Sequence, residues 1–366
     1  MGDHRDMPAS LQYAPQPNRP DRPGPGPWLH RYALLVVAAT WFLIFAGGMV
    51  TSTGSGLSVP DWPTTYGQNM FIYPPSRWVG GIFYEHGHRL IASAVGMLTI
   101  GLWLWLWLRE PRRWLAKLGL IALIAVIAQG ILGGLTVRYL LPTPISVSHA
   151  CLAQTFFCIV ISIAVFTSPA WKASRRPAPK GEDVPMFQTP RLTVLLTLVI
   201  FGQLLLGAIM RHTESGLAVL DFPKAYGQWI PDLDAAAVER YNDHRRFERL
   251  IPAVTTQQIA WHLAHRAGAV VVALTAIAVC LTIIRRHAAT PVFRRTALLI
   301  LLFVAAQFAL GAWTVLSEKR AIAATLHVAV GAATLGASWF MTLQAYRRVG
   351  IARRETIPAA VVGVVS

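Results

Sequence analysis

Four histidines, one glutamate and two arginines carry the chemistry that this chain offers. The stretch "EHGHRL" at 85–90 puts a carboxylate, two imidazoles and a guanidinium within six residues. The stretch "HLAHRA" at 262–267 repeats part of it, so that His265 and Arg266 match His88 and Arg89 at an offset of 177. Two later histidines, His149 and His327, match at an offset of 178. Each half of the chain therefore presents two imidazoles, and the question is what a pair of them can hold. Zinc wants three or four protein ligands, and neither pair is joined by a cysteine or a second carboxylate. Copper would call for an accompanying Cys or Met, and there is none beside the pairs. Haem iron needs only two axial ligands, and imidazole is a common one. The paired histidines thus fit two haem irons, one between His88 and His149 and the other between His265 and His327.

The remaining residues sort around those pairs. Arg89 and Arg266 each follow a ligand at the wet end of a helix, where they are candidate partners for haem propionates. Their competing role is to snorkel towards lipid phosphates. Glu85 lies three residues before His88, on the same helical face, whereas the matching position before His265 is His262. An exposed acid favoured by the helix dipole would explain Glu85 alone. It does not explain why the halves keep the His–Arg pair and differ in the acid. The difference suggests a reacting haem in the first half, served by Glu85, and an electron-carrying haem in the second. His86 and His262 stay undecided, and His4, His30, His212, His244 and His287 read as solvated.

These residues need a frame, and the composition says what kind. Hydrophobic residues make up 54% of the 366 and charged residues only 14%, against about a quarter charged in a soluble protein. Eight apolar runs are long enough to cross a bilayer as helices. They cover 32–50, 89–108, 115–135, 148–166, 192–210, 267–284, 296–316 and 323–346. The expected fold is therefore an all-α integral membrane protein, with eight transmembrane helices forming two pseudo-twofold-related four-helix bundles. In a four-helix bundle, ligands on facing helices meet in the core. The four key histidines fall near the starts of the second, fourth, sixth and eighth spans, and so at similar depth. Ionisable groups placed inside a membrane are expensive and usually functional.

The net charge of +16 follows the same frame. With the N-terminus inside, the cytoplasmic segments hold 21 of the 33 Lys and Arg but only 7 of the 17 acids. That is the positive-inside bias. It puts both termini in the cytoplasm, favours anionic lipid as a partner and argues against nucleic acid. The three cysteines, Cys151, Cys158 and Cys280, lie within spans and read as packing residues. The Pro- and Gly-rich start has no apolar core like that of a secretory signal, which favours a bacterial plasma membrane.

An internal repeat organises the chain. "TSTGSGLSVPDWPTTYGQ" at 51–68 matches "RHTESGLAVLDFPKAYGQ" at 211–228 at an offset of 160, and "QGILGGLTV" at 129 matches "QFALGAWTV" at 307. The reading is a disordered cytoplasmic tail at 1–30 and an N-terminal bundle at 31–167 with the substrate haem site. A cytoplasmic linker at 168–191 leads to a C-terminal bundle at 192–347 with the electron-carrying haem site, and 348–366 forms a second cytoplasmic tail. The second half carries 17 more loop residues than the first. "PDLDAAAVERYNDHRRFERLIPAV" is expected to supply an amphipathic interfacial helix there.

Together these motifs resemble the haem A synthase family of eight-helix membrane enzymes, from about Tyr32 to Tyr346. The resemblance rests on "GGMVTSTGSGLSVPDWP", "EHGHR", "HLAHR" and the two later histidines. It implies oxidation of a ring methyl of haem O, through a hydroxymethyl group, to the formyl group of haem A for cytochrome oxidase. It implies that Glu85 is the catalytic carboxylate, that His88 and His149 bracket the substrate haem, and that His265 and His327 ligate a haem b cofactor. Implied partners are haem O synthase, cytochrome oxidase assembly factors and an electron acceptor that the sequence does not identify. Some family members carry a cysteine pair in the outer loops, and this chain has none there. Two other readings of the four histidines are a bis-histidine cytochrome b moving electrons to or from quinone, and a membrane haem carrier without enzymatic activity.

Overall fold

The computed structural model describes residues 26–173 and 188–356. Most of the 1–30 tail, much of the 168–191 linker and the end of the 348–366 tail therefore lie outside the described residues. Among the described residues ten α-helices follow one another: α1 (Pro27–Ser52), α2 (Gly81–Arg109), α3 (Arg113–Arg138), α4 (Thr143–Thr167), the short α5 (Pro169–Ala173), α6 (Gln188–His212), α7 (Ala235–Asp243), α8 (Thr256–Arg286), α9 (Pro291–Leu316) and α10 (Ala321–Thr356). All except α5 and α7 are long and apolar enough to cross a membrane. This is the expected all-α membrane fold. Among the described residues, strand pairing is limited to two isolated bridges, Thr65 with Gln68 and Ala225 with Gln228.

The helix boundaries follow local chemistry. Proline opens α1, α4 and α9, where its missing N–H leaves no helical bond unmade. Thr255 and Gln258 form a reciprocal capping box at the start of α8. Between α2 and α3, Glu110 pairs with Arg112 at 2.6 Å, and Arg112 also donates to the Phe166 carbonyl at the end of α4. Burial pushes the Glu110 carboxyl up, but Arg112 outweighs it and holds the group below the ordinary carboxylate range.

Helices α1 to α4 contact one another in a closed ring, and α6, α8, α9 and α10 close a second ring in the same order. The rings meet through α1 and α4 on one side and α6 and α10 on the other. The interface explains why α4 and α10 bury 50% and 56% of their most apolar windows, while the other spanning helices bury 28% or less and face lipid. Polar groups bind the interface, as is common where no hydrophobic force separates helix from lipid. Trp41 donates to the Ala329 carbonyl at 2.9 Å and Trp339 to Ser162 at 2.8 Å, while within the second ring the Thr197 hydroxyl of α6 meets Ser338 and Thr342 of α10.

Each half places a long loop on the face opposite the chain's described ends, and the two loops are built alike. Asp61 accepts from Tyr66 N at 2.7 Å and Gly67 N at 2.8 Å, and also from the Thr64 hydroxyl. Asp221 accepts from Tyr226 N and Gly227 N, both at 2.8 Å. The turns at Tyr66–Gly67 and Tyr226–Gly227 have positive φ at both residues, a conformation in which glycine is at no steric disadvantage. Burial of Asp61 is outweighed by its donors, which hold it below the ordinary aspartate value. Burial pushes the Tyr226 phenol up to about 12, and its hydroxyl donates to the Ala218 carbonyl.

The extra residues of the second loop form α7, which is amphipathic as expected. Its apolar side rests on protein, since Ala237 and Val238 are buried and Tyr241 stacks on Tyr226 at 3.7 Å. Arg245, buried behind it, donates to the carbonyls of Leu217 and Pro252.

Candidate functional site

Each of the four key histidines rests against a glycine on the spanning helix before it. A Cβ added at Gly47 of α1 would come within 3.0 Å of His88 Cε1, and one at Gly207 of α6 within 3.1 Å of His265 Cε1. At Gly133 and Gly311 the corresponding approach to His149 and His327 is 3.4 Å. The four rings lie deep among protein atoms, yet all four remain half-buried. His86 and His262, by contrast, are fully buried.

The imidazoles of the second half meet in the expected pair. The rings of His265 and His327 have centroids 6.2 Å apart. A metal held between two imidazoles by bonds of roughly 2 Å requires a separation of about that size. His149 lies within electrostatic reach of His88. The Nδ1 atoms of His88, His149 and His327 are buried without a hydrogen bond. His265 Nδ1 stands 3.1 Å from the side-chain amide of Gln203, which also donates to the His265 carbonyl at 2.8 Å. Gln307 makes the same bond to the His327 carbonyl, also at 2.8 Å. Such outer contacts fix the orientation of a ligating ring. Paired imidazoles backed by glycine, with three of the four Nδ1 atoms lacking a hydrogen bond, are a donor set that fits haem iron.

Glu85 is buried, at 4% exposure, and both its oxygens are in use. One accepts from Val59 N at 2.8 Å and the other from Arg89 Nη2 at 2.7 Å. Arg89 also donates to the carbonyls of Asp61, Thr64 and Val59. Arg266 repeats the anchor one half later, donating to the carbonyls of Asp221 and Lys224. Both arginines thus fasten a loop to a helix, which is a different use of their donors from the propionate contact expected of them. The first loop also reaches across its bundle. Trp62 packs so closely on Gly134 of α3 that a Cβ there would fall 2.4 Å from the indole, and Gly134 adjoins the glycine that backs His149.

The other histidines separate cleanly. His86 turns away from the pair, with Nδ1 3.1 Å from the Thr65 hydroxyl and its ring against Tyr73 and Trp78. His262, at the position of Glu85, has its Nδ1 3.0 Å from the Ser215 carbonyl. Contrary to the expectation of solvation, His30 contacts the Ala164 carbonyl, and His287 is buried against Thr189. His4 lies outside the described residues.

The supporting residues went unnoticed in the sequence, although a signal was there. Gln129–Gly133, Gln203–Gly207 and Gln307–Gly311 share the spacing Q-x-x-x-G on α3, α6 and α9. Helix α1 keeps the glycine but has Leu43 in place of the glutamine, so His88 has no such amide behind it.

Comparison with known proteins shows the family of the chain. Residues 30–339 match the family model COX15-CtaA, described as cytochrome oxidase assembly protein. Similar curated proteins include the heme A synthase of Shouchella clausii, 27% identical over 334 residues that span 89% of this chain and 98% of the relative. The heme A synthase of Rhizorhabdus wittichii is 25% identical over 353 residues, 87% of this chain and 94% of its own. That of Chelativorans sp. is 27% identical over 361 residues, 87% of this chain and 92% of its own.

Proposed function

The chain belongs to the COX15-CtaA family of cytochrome oxidase assembly proteins, and from that premise we propose how its two bundles divide the making of haem A. The protein is a multi-pass membrane oxidoreductase, a haem A synthase, that oxidises a ring methyl of haem O through the alcohol to the formyl group of haem A. The observation that carries this reading is the pair of glycine-backed imidazoles in each bundle, with a carboxylate beside only one of them.

In the proposed division, His88 and His149 bracket haem O in the bundle of α1 to α4. Glu85, one turn before His88, supplies a fixed negative charge at the loop end of that site. With Val59 N and Arg89 on its two oxygens, it is preorganised to stabilise positive charge that develops as the methyl is oxidised. Each oxygen accepts one hydrogen bond and keeps a second lone pair, so the carboxylate can also accept a proton with both partners in place. The first loop, latched by Arg89 and laid over α3 by Trp62, shields the site from bulk water. His265 and His327 hold haem b in the second bundle, where the cofactor supplies one-electron redox capacity. The electron acceptor, haem O synthase and oxidase assembly factors complete the proposed set of partners, and the membrane is the bacterial plasma membrane. The domain boundaries given above divide the chain accordingly.

Acid-acetone extraction of haems from the purified protein tests the division. Haem b together with haem O or haem A is the expected yield. Haem b alone would return the protein to the electron-transfer reading, and haem without conversion to the carrier reading.

Orientation follows from the charge split between the two faces. Both termini and the 168–191 linker are proposed to face the cytoplasm. A thiol reagent that cannot cross the membrane should label Thr64→Cys from outside and leave Ser174→Cys untouched in intact cells. Labelling of the two in the opposite sense overturns the orientation.

A further inference from the structure

Arg211 ends α6 with a guanidinium that has no charged partner. It stands one turn nearer the loop face than Gly207, the residue that backs His265, and on the same side of the helix. Its Nη2 donates to the Ser52 hydroxyl at 2.7 Å and to the Gly48 carbonyl at 3.4 Å, both on α1. Its Nε is buried with no hydrogen-bond partner. None of the ion pairs among the described residues includes it. The surroundings add positive charge. Lys319, in the connector before α10, is within electrostatic reach of Arg211, as are His212 and the ligand His327. Burial, and then Arg211, pull the Lys319 amine below its ordinary value, with Glu214 opposing them. Thr325, two residues before His327, donates to the same Ser52 hydroxyl. The cluster therefore sits where α1 and α6 meet the start of α10, at the loop end of the His265–His327 site.

The repeat shows that this is a special feature of the second half. The positions matching Arg211 and Lys319 are Thr51 and Leu141, at the offsets of 160 and 178 found for the motifs. The first half thus carries a buried acid and no such cations, while the second carries the cations and has His262 in place of the acid. A buried charge that meets only neutral acceptors is unfavourable unless an anion joins it. The unpaired Nε–H of the guanidinium remains able to donate a charge-assisted hydrogen bond to a carboxylate.

We propose that Arg211, with Lys319 beside it, is the seat for a carboxylate of the ligand bound between His265 and His327. This rests on the reading of that site as a haem b site, and the carboxylate is then a haem propionate. It moves the propionate contact from Arg266, which donates to the carbonyls of Lys224 and Asp221 in the second loop, to a pair of cations that the motif comparison passes over. It also makes α1 of the first bundle part of the second site, through Gly48 and Ser52.

The test compares two probes, haem b and haem b dimethyl ester, in which both carboxylates are masked. Full-length protein purified from haem-starved cells is titrated with each, following the low-spin band that depends on His327. In the parent, haem b should bind about 10–100-fold more tightly than the ester, the range for a lost charge-assisted hydrogen bond. In Arg211→Gln that preference should fall towards unity, while affinity for the ester stays as in the parent, which a merely structural role would not produce. Arg211→Lys should keep part of the preference, and Lys319→Gln, placed in a connector, should lower it without disturbing α6. An unchanged preference in both Arg211→Gln and Lys319→Gln overturns this proposal and leaves the haem b site standing. Absence of any His327-dependent band in the parent overturns the site and the proposal together.

Discussion

Replacing His327 or His265 with alanine is expected to abolish the low-spin haem b spectrum of the purified protein. Two imidazoles holding one haem iron would make it low-spin, and losing either would open a coordination position. The ring separation of 6.2 Å leaves space for one metal between the two and for little else. A companion change leaves both ligands in place. Gly207→Val puts branched carbon where even a Cβ would approach His265 Cε1 to 3.1 Å, so the ring must turn. Haem affinity should fall by about 10–100-fold, as when an outer contact of a metal ligand is lost. Reduced-minus-oxidised spectra at matched protein concentration read both effects. An unchanged spectrum in either histidine variant removes that residue from the ligand set. An unchanged spectrum in Gly207→Val removes the glycine from its supporting role.

Spacing made the ligand pairing legible, because a helix start fixes depth and a repeat fixes which helices face each other. His265 and His327 needed only their offset from His88 and His149 to be placed opposite one another. The fold was legible for a similar reason, since eight apolar runs in a chain with so few charges leave little choice. What the sequence did not convey was the use of donors. Arg89 looked like a free cation beside a ligand. In the structure its guanidinium donates to three loop carbonyls and Glu85. Carbonyl acceptors are the same at every residue, so no side-chain pattern announces them. Arg211 shows the converse. It fell at the edge of a recognised motif, and only its burial beside α1 sets it apart from an ordinary residue at a helix end. The glycines were missed because close helix approach is also their common use in membranes. Their register with each histidine became evident once the helices were paired.

Glu85→Gln is expected to keep haem b and the eight-helix frame while lowering haem A formation by about 10²–10⁴-fold, the span usual for a lost acid–base group. The geometry sharpens what the substitution removes. Glu85 accepts from two donors, Val59 N and Arg89 Nη2, and an amide has only one oxygen to offer them. Its NH₂ group must therefore face one of these donors. Arg89 retains its three carbonyl partners, so the loop keeps most of its anchor. The negative charge is lost outright. Two roles for that charge predict different results. If Glu85 serves the chemistry, the variant should bind haem O with near-normal affinity and accumulate haem O or the hydroxymethyl intermediate. Accumulated haem O alone places the residue in the first oxidation, and accumulated alcohol places it in the second. If Glu85 only latches the loop, haem O should fail to bind, and Arg89→Gln should reproduce the defect in full. Glu85→Asp separates them further, because it keeps the charge but shortens the reach to Val59 N. Chromatography of acid-acetone extracts, with haem O binding measured on the same preparations, reads every branch. A normal initial rate of haem A formation in Glu85→Gln would refute the catalytic role. Its burial would then be explained by the ion pair with Arg89 alone. His262→Glu is expected to create no activity in the second bundle. A carboxylate placed there would lie near Arg266, in a site proposed to hold a haem without the farnesyl tail of the substrate.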